Sequence, residues 1–551
     1  MLKRMSVAAF MPVPGKPAGT AATAGAGLLQ TRLRCTATAV LLCLGIGLRL
    51  SHLSIVTGRS PDETNYTRQA NILLQEGTAG LKRMAAEYQR DPAVRLSPPP
   101  TRAGYLWMLA AAMRFTHNND ERVGASLSTA ASIGSLFVLT LIGIRFFPAW
   151  ARLFALLFLT VSPADLELAR RTWTDALVGF FGLLLIYVAC EITHDPQRRI
   201  WHWLFALLGS AGIIVKEFGP VLFGLCSLWV LWVMLVQRRA FRRGLALMAG
   251  SLVAAGVSVA WLANSIGGLS VLAQTVINWR VAHGANTYAI EYQSGPGYLL
   301  LRAFQVISPV AALFCVIGLA VMVLSRRRLS FLHLPACVAD WEVIGWLALF
   351  ALGYLALAMV LPHWLNLRYV SVLFGPFYLL AGVGFWYAAS LCWNRLGMFQ
   401  RRVFAATIIL GVGIGASSDY RRFDRMFVRN GLGDLSVKLV LDRANMSSAE
   451  KQVKRAPTPE NYLNLCRLYH LNWRDLDSVA ACQNALQLRP DYAEAYNGLS
   501  TAYVSLEKWD EAALAAQRAL ELKPDFSLAR NNLELSVHQK QLQESAKNSK
   551  E

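Results

Sequence analysis

The sequence predicts an all-α membrane protein, a polytopic bundle of about eleven spanning helices followed by a polar α-helical domain. Three observations carry this. The 551-residue chain is 55% hydrophobic and 16% charged, with a mean hydropathy of +0.37, which is too apolar for a soluble chain of its length. The apolar residues fall in runs near the roughly 20 residues that a helix needs to cross a bilayer. The arginines stand in short clusters between those runs.

The runs lie at 36–56, 121–144, 151–168, 175–192, 200–216, 219–236, 245–265, 298–324, 340–361, 369–391 and 403–418. Residues 1–35 hold Ala, Gly, Pro and basic residues but no acid. They read as a disordered cytoplasmic tail, with an organellar transit peptide as the alternative. The shorter run 103–115 follows Ser97-Pro98-Pro99-Pro100 and reads as an interfacial helix, too short to span.

With the N-terminus inside, the cytoplasmic loops hold Arg145 and Arg152; Arg198 and Arg199; Arg238, Arg239, Arg242 and Arg243; Arg326, Arg327 and Arg328; and Arg395, Arg401 and Arg402. Every inside loop is then basic, as the positive-inside bias requires. A spanning 103–115 would put the same clusters outside. The net charge of +20 is therefore a topology signal, and no nucleic-acid partner is expected. The nine cysteines form no CxxC, and HExxH and Gly-rich phosphate loops are lacking, which removes the motifs of a zinc site or nucleotide fold.

This topology places 57–120, 169–174, 217–218, 266–297, 362–368 and everything after 418 on the outer face. Asp62 and Glu63, the first acidic residues of the chain, follow Ser60-Pro61 there. A carboxylate pair at a bilayer surface can orient a hydroxyl, take its proton or hold a divalent ion; the plain alternative is an N-cap for a helix over 64–75. Arg170, Arg171, Asp175, Lys216, Glu217, His363 and Arg368 share that face. Lys216 and Glu217 are neighbours, and adjacent helix residues do not face each other, so a local pair between them is not expected. Asp165 and Glu167 read as an ion-pair cluster near Arg170, and His363 and Trp364 as interfacial anchors. The segment 266–297, with Asn278, Trp279, Arg280, His283, Tyr288, Glu291, Tyr292 and Gly295-Pro296-Gly297, reads as a cover over the site.

The polar tail carries a 34-residue period. Arg489-Pro490-Asp491-Tyr492 recurs as Lys523-Pro524-Asp525-Phe526, and Tyr462, Leu465, Tyr469 and Ala485 recur as Tyr496, Leu499, Tyr503 and Ala519. It resembles tetratricopeptide repeats, stacked helix pairs that bind protein segments or pack on their own chain. Repeats at 459–492 and 493–526 with a capping helix at 527–545 make a domain over 459–545, joined by a basic linker over 419–458. Cys466 and Cys482 fall on the two helices of the first repeat and are read either as a disulfide or as small packing residues.

The segment Pro61-Asp62-Glu63-Thr64-Asn65-Tyr66, with Ala70 and Gly77, resembles the first-loop motif of GT-C glycosyltransferases, in particular the branch of protein O-mannosyltransferases and the lipid A aminoarabinose transferase. Pro98-Pro99-Pro100 with Tyr105, Ser162-Pro163 with Arg170 and Asp175, Lys216-Glu217, and Arg368-Tyr369 with Pro376 resemble later motifs of that branch, in the same order over residues 36–390. The resemblance implies a GT-C-like domain over 36–418 that moves a hexosyl or pentosyl unit from a polyprenyl-phosphate donor to a protein, lipid or glycan acceptor. It implies Asp62 as base and Glu63 as its catalytic companion, with Arg170, Arg171, Lys216 and Arg368 holding the donor phosphate. Tyr66, Asp175, Glu217 and Tyr369 would support them. Asp62, Glu63 and Asp175 are the candidate ligands if a divalent metal (Mg, Mn or Zn) takes part. The implied setting is a bacterial inner membrane with the site on the periplasmic, or equivalent lumenal, side. The partners are then the lipid-linked donor, membrane lipids and a protein at the repeats. A flippase of lipid-linked sugars and a non-catalytic scaffold are the rival readings.

Overall fold

The computed structural model describes residues 21–51, 53, 61–91, 94–237, 240–285, 307–326, 341–360, 367–429, 446, 448–471 and 474–548. All secondary structure among them is helical. The chain divides into a membrane unit ending at Arg425 and a second unit that holds Met426–Glu551.

In the membrane unit the helices are α1 Ala21–Ser51, α2 Pro61–Glu76, α3 Thr78–Arg90, α4 Ala103–Thr116, α5 Glu121–Phe146, α6 Ala149–Thr160, α7 Pro163–Ala169, α8 Asp175–His194, α9 Arg199–Val215, α10 Gly219–Trp232, α11 Phe241–Ile266, α12 Leu269–Ala285, α13 Pro309–Arg326, α14 Trp341–Val360, α15 Phe374–Arg395 and α16 Met398–Phe423. Among the described residues seven stretches are long and apolar enough to cross a membrane, α6 with α7 makes an eighth as a bent pair, and α9, α13 and α14 contribute shorter apolar stretches. Each of the eleven expected runs is thus largely helical over its described part, with a break at 161–162 in the run 151–168. The chain is a multi-pass membrane protein. Its outer surface agrees: Leu252, Val253 and Val257 of α11 and Ile409, Leu410 and Ile414 of α16 are all more than half exposed, while the charged groups described below are buried. The polarity of a soluble protein is inverted, as a lipid solvent demands.

Two differences from the sequence expectation stand out. Helix α1 begins at Ala21, so residues 21–35 of the expected disordered tail are helical; residues 1–20 lie outside the described residues. The eighth span is broken. Ser162-Pro163 ends α6 and starts α7 with a bend of 56°, because a proline nitrogen cannot continue the hydrogen-bond ladder. The carbonyls freed by the break need donors in a medium without water. Arg49 of α1 supplies them, donating to Leu159 O at 3.1 Å and Thr160 O at 3.3 Å. The same guanidinium pairs with Asp165 at 2.5 Å and donates to Ser132 Oγ at 2.5 Å. Arg49, Asp165 and Ser132 are all buried, so α1, α5 and the break are tied at one point.

Elsewhere the bundle closes on glycine. A Cβ on Gly384 of α15 would stand 1.9 Å from Phe314 O of α13, and one on Gly382 would stand 2.1 Å from Ala151 O of α6. Backbones approach this closely in membranes because small residues let them, and packing is the main force left between helices.

The second unit holds a helix described at 446 and 448–455, here α17, then α18 Pro459–Leu471, α19 Asp475–Leu488, α20 Ala493–Ser505, α21 Trp509–Leu522 and α22 Ser527–Asn548. The two helix pairs and the final helix match the expected repeats. The 34-residue period is physical: Arg489 pairs with Glu460, and Lys523 with Glu494. Arg489 lies over Tyr492 as Lys523 lies over Phe526. The expected linker over 419–458 differs. Its first residues extend α16, and α17 packs Met446, Ala449 and Val453 into the core of the first repeat. Cys466 and Cys482 form a disulfide, with their Cα atoms 5.3 Å apart.

The Arg49 tie yields a test. Arg49→Met leaves Asp165 as an uncompensated buried charge, which should cost about 3–5 kcal/mol of stability. The double variant Arg49→Met, Asp165→Leu should recover most of that loss in thermal unfolding followed in detergent. If the single variant melts like the wild type, the tie does not hold the break.

Candidate active site

Helix α2 starts at Pro61, with Asp62 and Glu63 in its first turn, where a helix dipole favours acids. The two carboxylates have separate fates. Glu63 is fully buried; it pairs with Arg171 Nη1 at 3.1 Å and accepts from the Thr172 amide at 2.9 Å. Arg171 also pairs with Glu167 at 2.6 Å. This enclosed triad pins α2 to the turn that follows α7. Asp62 stands at the opening. Its carboxylate pairs with Arg368 Nη1 at 2.8 Å, and its side chain is 26% exposed.

Arg368 lies on the short 3-10 segment Leu367–Leu373 before α15. Its guanidinium lies over the Trp173 ring at 5.1 Å and over Tyr369 at 5.3 Å. Arg171 also meets Trp173, at 5.5 Å, so one buried indole contacts both cations. Ser371 of the same segment donates to the Asp175 carbonyl at 2.9 Å, and Tyr354 of α14 donates to the Tyr369 carbonyl at 2.9 Å.

Lys216 follows α9 in extended backbone, φ −160° and ψ 153°. Lys216 and Glu217 consequently part. Lys216 pairs with Asp175 at the start of α8 and lies over the Tyr369 ring at 5.0 Å. Glu217 takes Arg102 Nε at 3.0 Å and the Thr101 hydroxyl at 3.1 Å. Arg102 in turn hydrogen-bonds the Tyr66 hydroxyl, and the Tyr66 ring meets Tyr105 edge-on at 4.9 Å. For Glu217, burial pushes the carboxyl up but Arg102 outweighs it, and the group stays below its ordinary range.

Of the residues predicted from sequence, Asp62, Glu63, Arg171, Asp175, Lys216, Arg368 and Tyr369 are joined through these contacts, and Tyr66 and Glu217 are joined to each other through Arg102. Arg170 pairs with Glu167 at 2.9 Å, and so joins the Glu63–Arg171–Glu167 group, while its guanidinium lies over Phe423 of α16 at 5.5 Å. Asp165 belongs to the Arg49 tie. In the expected cover, α12 packs against α3, and residues 286–297 lie outside the described residues, as do His363 and Trp364. Sequence reading missed Arg49, Arg102 and Trp173. A lone arginine inside an apolar run was a usable signal for Arg49; nothing local marked Trp173.

The donor set does not fit a divalent ion. Asp62, Glu63 and Asp175 are each paired with a basic side chain, and no group of three or more His, Cys, Asp or Glu side chains that could hold a metal occurs among the described residues. The arrangement suits an anion instead. The cations are pre-oriented by carboxylates and rings in a site poor in water, where each charge acts more strongly.

Glu63→Ala should lower stability by about 3 kcal/mol or more, because it leaves Arg171 short of a buried counter-charge. The check is the midpoint of thermal unfolding in detergent. A midpoint unchanged from the wild type would show that Glu63 does not anchor α2.

No family model and no curated protein matches the chain. Among solved structures it is similar to ArnT from Cupriavidus metallidurans in the apo state, at 15% identity and a TM-score of 0.44, over 87% of this chain and 79% of that one. The same protein bound to undecaprenyl phosphate gives 14% and 0.43, with the same coverage. The archaeal oligosaccharyltransferase AglB from Archaeoglobus fulgidus, in complex with an inhibitory peptide and a dolichol-phosphate, gives 12% and 0.43 over 72% of this chain and 56% of that one. At these identities and TM-scores no residue of this chain is put in register with theirs, and the site stands on its own geometry.

Proposed function

We propose that the chain is an integral membrane glycosyltransferase of GT-C type, moving a sugar from a polyprenyl-phosphate donor to an acceptor on the non-cytoplasmic side. The observation that carries this is one partly open carboxylate, Asp62, paired with the buried cation Arg368, which shares the Tyr369 ring with a second buried cation, Lys216. Transfer to an acceptor hydroxyl needs both halves of that arrangement: a base for the proton and fixed positive charge for the departing phosphate. A multi-span bundle explains where the donor comes from, since an isoprenoid chain stays in the bilayer while its phosphate reaches the surface.

In this reading the acceptor O–H gives its proton to Asp62 as its oxygen bonds to the anomeric carbon. The bond from that carbon to the phosphate oxygen breaks, and its electron pair leaves with the polyprenyl phosphate. Arg368 and Lys216 meet the charge that grows there. Arg171 and Glu63 hold the frame, and Arg102 with Glu217 holds Tyr66.

Two features support this sidedness. The basic loops favour a cytoplasmic N-terminus with the site outside. The Cys466–Cys482 disulfide favours an oxidising compartment for the repeats, such as the periplasm or an equivalent lumen. A protein or protein-bound glycan is the acceptor class that repeats of this kind favour.

Two measurements test the reading. Asp62→Asn should lower transfer from a lipid-linked sugar by about 10²–10⁴-fold while the variant purifies and melts like the wild type; full activity would remove Asp62 as the base. Lys216→Ala should lower kcat/KM for the donor in the same transfer assay, because it removes fixed positive charge from the phosphate side; an unchanged value would exclude Lys216 from phosphate binding.

A further inference from the structure

Helix α12, Leu269–Ala285, follows α11 after a turn at Gly267-Gly268. Both glycines have left-handed backbone, with φ of 113° and 123°, a conformation that residues with a side chain rarely take. Both amides donate to Ala263 O, at 3.1 and 2.7 Å, which closes the end of α11. The chain therefore turns off the α11 axis there. Sequence order places α12 in the outer aqueous phase, as part of a cover, but its surface does not suit water. A helix on a protein surface in water turns its polar side out. In α12 the polar Thr275 and Asn278 are buried, while Leu269, Val276, Ile277 and Val281 are 67%, 43%, 53% and 62% exposed. At the helical period these four fall on one side, with the exposed Arg280 among them. The other side packs against α3 and the Val94–Leu96 turn, and Gln89 of α3 donates to Val271 O at 3.4 Å.

The exposed side of α12 continues a surface that already faces lipid. On α11, Leu252, Val253 and Val257 are more than half exposed along the span, and Trp261 is exposed nearer its outer end. An exposed indole at the end of a span marks the headgroup level. Ile266, the last residue of α11, lies five residues beyond it, about 8 Å along the axis. Helix α12 thus begins close to that level. The four exposed apolar side chains are all aliphatic. A protein-binding face centres on Trp and Tyr anchors, whereas an acyl-chain surface asks only for apolar area on one side of a helix. Arg280 has a stem long enough to lift its guanidinium from that side to the lipid phosphates.

We propose that α12 beds its exposed side in the outer leaflet of the bilayer, with Leu269, Val276, Ile277 and Val281 among the acyl chains and Arg280 at the lipid phosphates. The partner of this surface is a lipid layer, and the segment after α11 is a shoulder in the membrane rather than a loop in water. The contact reaches the site through the fold. Helix α3 packs on α12 and follows α2 directly at Gly77, and α2 begins with Pro61 and Asp62. The leaflet thereby sets the height of the helix that carries Asp62. The proposal stands on surface chemistry and does not depend on the transfer reading.

The test uses the full chain in phospholipid nanodiscs, with the exposed free cysteines Cys35, Cys43 and Cys392 changed to serine. A nitroxide is attached in turn to Ile277→Cys and Val281→Cys. Its collisions with oxygen, which concentrates among acyl chains, are compared with its collisions with a water-soluble nickel chelate. Val257→Cys of α11 sets the lipid standard, and Leu514→Cys of α21, 71% exposed on the polar repeats, sets the water standard. Oxygen should dominate at both α12 positions, as at Val257→Cys, and the chelate should dominate at Leu514→Cys. Chelate dominance at the α12 positions would place that side in water. Protection from both reagents would place a protein or a second copy of the chain on it. Either result overturns the lipid contact. Val276→Cys replaces a variant whose melting temperature departs from that of the parent. No transfer activity enters these measurements, so their failure leaves the glycosyl-transfer reading standing.

Discussion

The enclosed pair between Glu63 and Arg171 is the contact on which the site depends. It joins the start of α2 to the turn after α7 in a place without water, and Glu167 completes it from the preceding turn of α7. Every charge near it is subject to the same constraint. A buried ion costs several kcal/mol unless it is paired, so each cation of the cluster has its carboxylate: Arg102 with Glu217, Lys216 with Asp175, Arg368 with Asp62. The pairs fix one another's positions, and Asp62 is left at the opening.

The break between α6 and α7 serves the same end. A straight helix would carry residues 170–174 along the span axis. The bend at Ser162-Pro163 turns them across the end of the bundle, where Arg171, Thr172 and Trp173 meet α2 and Arg368. Broken spans expose backbone, and Arg49 covers that cost with donors aimed at Leu159 and Thr160. Fold and site are thus joined by a chain of contacts from α1 through Asp165 to the turn that presents Arg171.

The repeats obey a different physics. In water, burial of alanine and leucine drives the stacking, and Ala481, Ala485, Ala502, Ala512 and Ala519 are buried between helices. The 34-residue recurrence of ion pairs and of cations over rings shows one structural unit used twice, with α17 and α22 at its two ends. That α17 belongs to the stack was not legible, because its sequence does not share the period; its apolar positions Met446, Ala449 and Val453 fit a helix face only once the first repeat is there to receive it.

Hydropathy alone was enough to read the spans, since a bilayer accepts little besides a long apolar helix, and the arginine clusters and the period of the tail were equally local signals. The same-face grouping of Asp62, Arg171, Asp175, Lys216 and Arg368 followed from counting spans. Who pairs with whom did not follow, because the partners are far apart in the chain and burial, rather than sequence order, decides which charges must meet. Three-dimensional packing separated Asp62 from Glu63, put Arg170 and Arg171 on one carboxylate, Glu167, and turned Lys216 and Glu217 to different partners. It also brought in Arg49, Arg102 and Trp173, whose roles exist only between helices. The acidic pair that the chain announces near its first span is, in space, one anchor and one exposed carboxylate.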